Sequence, residues 1–170
     1  MNAIRFFAAI IAVICASASV RAETPEEWVA LGARVHGAFG SFIPVGIRIG
    51  LDALQRLNAE RRGVTVVFYA GPKAPCPCPA DGIAIATQSS VGQGTLQVAL
   101  EKAPDGTFAV AVIRSKATGA GVKYTVAESW MPKLVDMNKT LDPIGRYNAV
   151  MTAPDLFTVE ILPAANSAPK

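Results

Sequence analysis

The apolar positions change period along the chain, and each change marks an element. "TPEEWVALGARVHGAFG" (24–40) places Trp28, Leu31, Val35 and Phe39 at helical spacing. Thr24, Pro25 and Glu27 supply the N-cap, the first-turn proline and the third-position acid of a capping box. His36 falls at the end of that helix, beside Gly37. A second helix is expected from Ser41, read as its cap, to Gly63, which ends it. Ile43, Ile47, Leu51 and Leu54 form its buried face. Gly46 and Gly50 lie four apart on one side, where another backbone can approach closely. "VTVVFYA" (64–70) turns to β-branched and aromatic residues and predicts a buried strand. A proline-rich loop with two cysteines follows, then a short helix over "ADGIAIATQSS" (80–90) that "SVGQG" (90–94) breaks. "TLQVAL", "TFAVAVIR" and "VKYTVAES" read as strands, the first two joined through the turn Pro104-Asp105-Gly106. "MPKLVDMNKT" and "DPIGRYNAVMT" read as helices, the second capped by Asp142 before Pro143. "DLFTVEIL" closes as a strand. The expected fold is α+β in a single domain, 23–163, with N-terminal helices packed on a mainly antiparallel β-sheet and a flexible tail over 164–170. There is no internal repeat.

The first 22 residues follow a different rule. "MNAIRFFAAIIAVICASASVRA" has a basic start at Arg5, an apolar run from Phe6 to Ile14, and small residues before a cut expected after Ala22. This pattern predicts a cleavable signal peptide and a periplasmic or secreted protein. The apolar run is too short to read as a membrane span. Ile14 before Cys15 argues against a lipid anchor. Losing Arg5 and Arg21 with the leader lowers the formal charge from +3 to +1, leaving 14 basic against 13 acidic residues. Apart from Arg61-Arg62 there is no basic cluster, so nucleic-acid binding has no support. The mature chain would keep two of the three cysteines, both in "KAPCPCPADG" (73–82). One bridge does not make a disulfide scaffold.

The chemistry gathers around that loop. His36 is the chain's one histidine, and Cys76 and Cys78 stand one residue apart. Imidazole and thiolate suit zinc or copper, and water or Asp81 would complete a tetrahedron. The same residues also fit a loop closed by a Cys76–Cys78 bridge beside a structural histidine. A thiol-exchange enzyme fits less well, because its motif spaces the cysteines by two residues. "SVGQGT" has the glycines of a phosphate-cradling turn but not the Lys-Ser/Thr of a nucleotide loop; it also reads as a plain connection. Thr87, Ser89 and Ser90 lack a nucleophile elbow, which argues against a hydrolase. Lys116 and Lys123 suit either an anion grip or a solvated hairpin. Trp130 and Met131 read as core.

Three stretches carry a resemblance. "HGAFGSFIPVGIRIG" (36–50), "CPADGIAIATQSSVGQG" (78–94) and the weaker "SKATGAGVKYTV" (115–126) resemble, in order, the signatures of the FmdE-like family, which takes its name from formylmethanofuran dehydrogenase. The resemblance spans most of 24–130. It implies an α+β core that often dimerises, and an ion, zinc in several members, bound by His36 and Cys78. The chain departs from the pattern at named positions. Ala38 replaces a second histidine, Ser41 a proline, Ser89 a possible cysteine and Gln93 a lysine, and there is no Cys-x-x-Cys tail. Cys76 is additional. Taken together, the expected function is an exported protein that binds a transition metal or a metal-bearing cofactor. His36, Cys76 and Cys78 would be its ligands and Asp81 a fourth ligand or the group orienting the histidine. Two alternatives stay open: a metal-dependent enzyme with Asp81 as its base, and a metal-free homodimeric module joined through the glycine face of the second helix.

Overall fold

The computed structural model describes residues 22–164. The predicted leader up to Arg21, with Cys15, and the last six residues of the predicted tail lie outside the described residues. Among the described residues, five helices and five strands follow in the order α1 (Pro25–His36), α2 (Phe42–Arg56), β1 (Val64–Ala70), α3 (Pro79–Thr87), β2 (Leu96–Val98), β3 (Thr107–Ser115), β4 (Gly121–Ala127), α4 (Trp130–Thr140), α5 (Pro143–Thr152) and β5 (Thr158–Leu162). The chain is α+β and forms one domain. Its strands make a single sheet in the order β2-β1-β3-β4-β5. Three of the four pairings are antiparallel, and β1 with β2 is parallel. Pro104, Asp105 and Gly106 do form a turn, with Gly106 at φ +79°. That turn does not make a hairpin, because β2 and β3 lie on opposite sides of β1.

One face of the sheet meets the helices. Val64, Val66 and Phe68 of β1, Ala111 and Ile113 of β3, and Val122 and Tyr124 of β4 share a core with Phe42, Val45 and Ile49 of α2, Ile83 of α3, Leu134 of α4 and Val150 of α5. The alternate positions of β1, Thr65, Val67 and Tyr69, are more exposed, as the two-residue period of a strand requires. Tyr124 donates its hydroxyl to Asp52 at 2.6 Å, anchoring α2 over β4. Burial and that carboxylate together raise the Tyr124 pKa, so the phenol stays protonated and donating.

α2 and α3 cross backbone to backbone. A Cβ on Gly46 would land on the Pro79 carbonyl oxygen and lie 2.8 Å from the Ile83 nitrogen. A Cβ on Gly82 would meet the Ile43 carbonyl and sit 2.8 Å from the Ile47 nitrogen. One turn on, a Cβ on Gly50 would come 2.7 Å from the Ala86 methyl. The glycine face of α2 is therefore covered by α3 of the same chain. It is not available to a second copy, which corrects the expected dimer contact.

Four local expectations change as well. α1 buries Trp28 and Gly32, one turn apart, while Leu31 is 36% and Val35 56% exposed. Phe39 is buried but lies beyond the helix, folded under Gly32. Ser41 stands at the N-cap of α2 as expected but makes no side-chain cap; its hydroxyl donates instead to the Leu134 carbonyl at 2.6 Å. α2 stops at Arg56 and not near Gly63, since Asn58 takes φ +44° and Arg62 φ +68°. Both residues are outside the helical region, and the chain turns twice before β1. Leu51 and Leu54 are only partly buried.

Candidate functional site

The capping box at Thr24 and Glu27 sets where α1 begins, and Gly37 at φ +89° sets where it ends. His36 is thus the last helical residue, beside the turn. α3 begins directly after Cys78, with Pro79 in its first turn and Asp81 among the helix's leading N–H groups. A carboxylate is favoured there by the helix dipole. The two ends meet: His36 Nδ1 lies 2.7 Å from Asp81 Oδ2. Their side chains are 29% and 41% exposed, so the pair sits at the surface. The bond fixes the ring and leaves Nε2 as the second nitrogen.

The cysteine loop is tied down on either side. Lys73 pairs with Glu128 at 2.8 Å, holding the loop to the end of β4. The Ala74 amide donates to the Gly71 carbonyl. Cys76 and Cys78 form a disulfide across Pro77, with Cα atoms 5.2 Å apart. Both cysteines are half-buried, and Cys78 packs against residues of both core clusters. The structure thus joins Cys76 to Cys78 and His36 to Asp81, with Cys78 and Asp81 in the same turn of chain. Among the described residues, no three or more His, Cys, Asp or Glu side chains form a group able to hold a metal ion. With the sulfurs bonded to each other, the donors that remain are His36 and Asp81, too few for a zinc tetrahedron.

Asp81 also borders a shallow depression of about 310 Å³ walled by Val35, Ile85 and Val91. The neighbouring "SVGQGT" turn closes on itself. Gln93 N–H donates to Ser90 Oγ, Gly94 N–H to the Val91 carbonyl, and Thr95 N–H to the Ser90 carbonyl. Those amides are not gathered toward an anion, and the segment serves as a connection. Thr87 bonds the Ile83 carbonyl at 2.7 Å and meets Ser89 Oγ at 2.8 Å in the interior. Lys116 donates to the Arg62 carbonyl and Lys123 pairs with Glu160 across the sheet, so neither forms the anion grip. Trp130 is partly buried, and its indole N–H donates to the Asp155 carbonyl. No described helix is long and apolar enough to cross a membrane.

A search of curated proteins returns no match. A family model described as "FmdE, Molybdenum formylmethanofuran dehydrogenase operon" matches residues 35–155, more than two-thirds of the chain. The match begins one residue before His36 and spans the cysteine loop, α3 and the Asp81 contact. Its description names the operon of a molybdenum enzyme, a metal-related association. The chain belongs to the FmdE family.

Proposed function

We propose that this is an exported FmdE-family protein that binds a transition metal, zinc being the expected ion, at a thiol-dependent site. The carrying observation is the 2.7 Å bond from His36 to Asp81, one helical turn past the cysteine loop. A carboxylate behind a histidine is the usual device for fixing the tautomer and raising the basicity of a metal ligand. Asp81 is then the orienting group and not a ligand. Two electrons from a dithiol or phosphine reductant, with two protons from the dithiol or, for the phosphine, from the water that forms its oxide, convert the Cys76–Cys78 disulfide to two thiols. Their thiolates and His36 Nε2 make a three-donor set, and metal uptake releases the thiol protons.

Elemental analysis after zinc exposure tests the reading. The reduced chain should retain about one zinc ion, and the oxidised chain and His36→Ala next to none. Asp81→Asn should weaken zinc binding about tenfold or more. If the reduced wild type retains no zinc, the metal reading fails. The closed disulfide and the exposed Val35 and Val91 would then favour a metal-free interaction module. Export carries its own expectation: sequencing the mature N-terminus should begin at Glu23.

A further inference from the structure

A larger cavity, about 620 Å³, opens at the other end of α1 from His36. That volume falls within the range of small-molecule sites. Trp28, Leu51 and Tyr147 make its apolar wall, and Glu23, Glu60 and Arg61 carry its charge. Arg61 presents both terminal nitrogens to the two oxygens of Glu23, a bidentate pairing. Its guanidinium carbon lies 5.7 Å from the centre of the Trp28 ring. The turn that carries Arg61 is held by Arg62 N–H to the Thr87 carbonyl at 2.7 Å and Gly63 N–H to the Glu60 carbonyl at 2.9 Å. Glu23, by contrast, comes from the irregular segment ahead of α1. Arg61 holds the Glu23 carboxyl below the usual carboxylate range, so it is ionised at neutral pH.

This is a planar carboxylate seated on an arginine fork in the lining of an aromatic-walled cavity. We infer that the cavity binds a small amphipathic carboxylate, whose acid group takes the Glu23 seat on Arg61 and whose apolar body lies between Trp28, Leu51 and Tyr147. The exchange is one carboxylate for another, so the charge on the fork is unchanged and Glu23 turns out to water. Glu23 is then an internal competitor, and removing it strengthens binding. A purely structural ion pair predicts no gain, because cutting it opens no seat that a ligand uses.

The test uses the purified mature chain beginning at Glu23, metal-free and with its disulfide intact, so its outcome is independent of the His36 reading. Phenylbutyrate is titrated by calorimetry and by heteronuclear NMR, with phenylbutyramide and phenethylamine as matched neutral and cationic controls. Phenylbutyrate should saturate and shift the Trp28 indole signal, and Glu23→Ala should tighten it by about tenfold or more. Arg61→Met should bind more weakly than wild type. The proposal is overturned if Glu23→Ala does not tighten binding, or if the amide or amine binds as well as the acid. Shifts that gather away from Trp28 and Tyr147 would also overturn it. Glu23→Ala decides the matter even where Arg61→Met fails to fold.

Discussion

Gly46→Ala is expected to cost about 4 kcal/mol or more, and to lower the thermal midpoint by about 10 °C or more. In an open helix the same change would stabilise by about 1 kcal/mol, because alanine is the better helix former. Here the sign reverses. The new methyl meets the Pro79 carbonyl oxygen and the Ile83 nitrogen, which are backbone atoms of α3 and cannot rotate away. Relief requires α3 to move as a body, and it carries Ile83 in the core and Asp81 at the His36 contact. Gly82→Ala should behave alike, since its methyl meets the Ile43 carbonyl. Gly92→Ala is the control. That position has no atom within 4 Å of an added Cβ, and its effect should stay within about 0.5 kcal/mol. Thermal and denaturant unfolding of the three variants would check this. A Gly46→Ala midpoint at or above wild type would show that α2 and α3 do not cross this closely.

Arg48→Met is expected to cost about 3 kcal/mol. Arg48 leaves α2 and donates one terminal nitrogen to the Val150 carbonyl at 2.8 Å and the Ala153 carbonyl at 2.6 Å. These belong to the end of α5, where carbonyls run short of intrahelical donors; Val150 accepts only a long bond from the Ala153 amide, at 3.3 Å, besides Arg48. A cation is favoured at that end by the helix dipole. The guanidinium carbon also sits 5.3 Å from the centre of the Phe157 ring. Methionine keeps much of the side-chain volume but removes both donors, so the loss reports the hydrogen bonds more than a cavity. Arg48→Lys should recover part of the stability through a single ammonium. Equal midpoints for Arg48→Met and wild type would show that this residue does not hold α5.

Much of the fold was legible where residue type dictates local geometry. Thr24 with Glu27, and Asp142 before Pro143, cap their helices as spacing demands, with Asp142 accepting the Gly145 amide at 2.7 Å. The β-branched run 64–70 is β1. The misreadings share a cause. Leu31 and Val35 have helical spacing with Trp28, yet α1 docks through Trp28 and Gly32, because Phe39 fills the space beside Gly32. Periodicity finds a stripe but not what faces it. Likewise the Gly46–Gly50 spacing announced a close approach without saying whose backbone approached. The parallel β2 was hidden because a turn at 104–106 looks the same whether or not its flanking strands pair. At the candidate site, His36 and Asp81 were both named from sequence, but they are 45 residues apart and only the α1–α3 packing makes them neighbours. The cavity at Glu23 and Arg61 had no motif. It depends on Trp28, Leu51 and Tyr147 converging from three helices.

The sheet order also bears on when the chain can fold during synthesis. β1 finds its antiparallel partner only in β3, where Val64 faces Ser115, and α2 rests on a ring of β3 and a hydroxyl of β4. Phe42 packs on Phe108 at 5.0 Å, and Asp52 receives Tyr124. A nascent chain that ends before β3 has three helices and a central strand bordered only by the short parallel β2, so half of the sheet face that α2 packs on is still missing. Long-range pairing of this kind makes closure late, after most of the sequence has been made. The polypeptide therefore stays open and threadable until β3 and β4 emerge, and compacts only when its second half arrives.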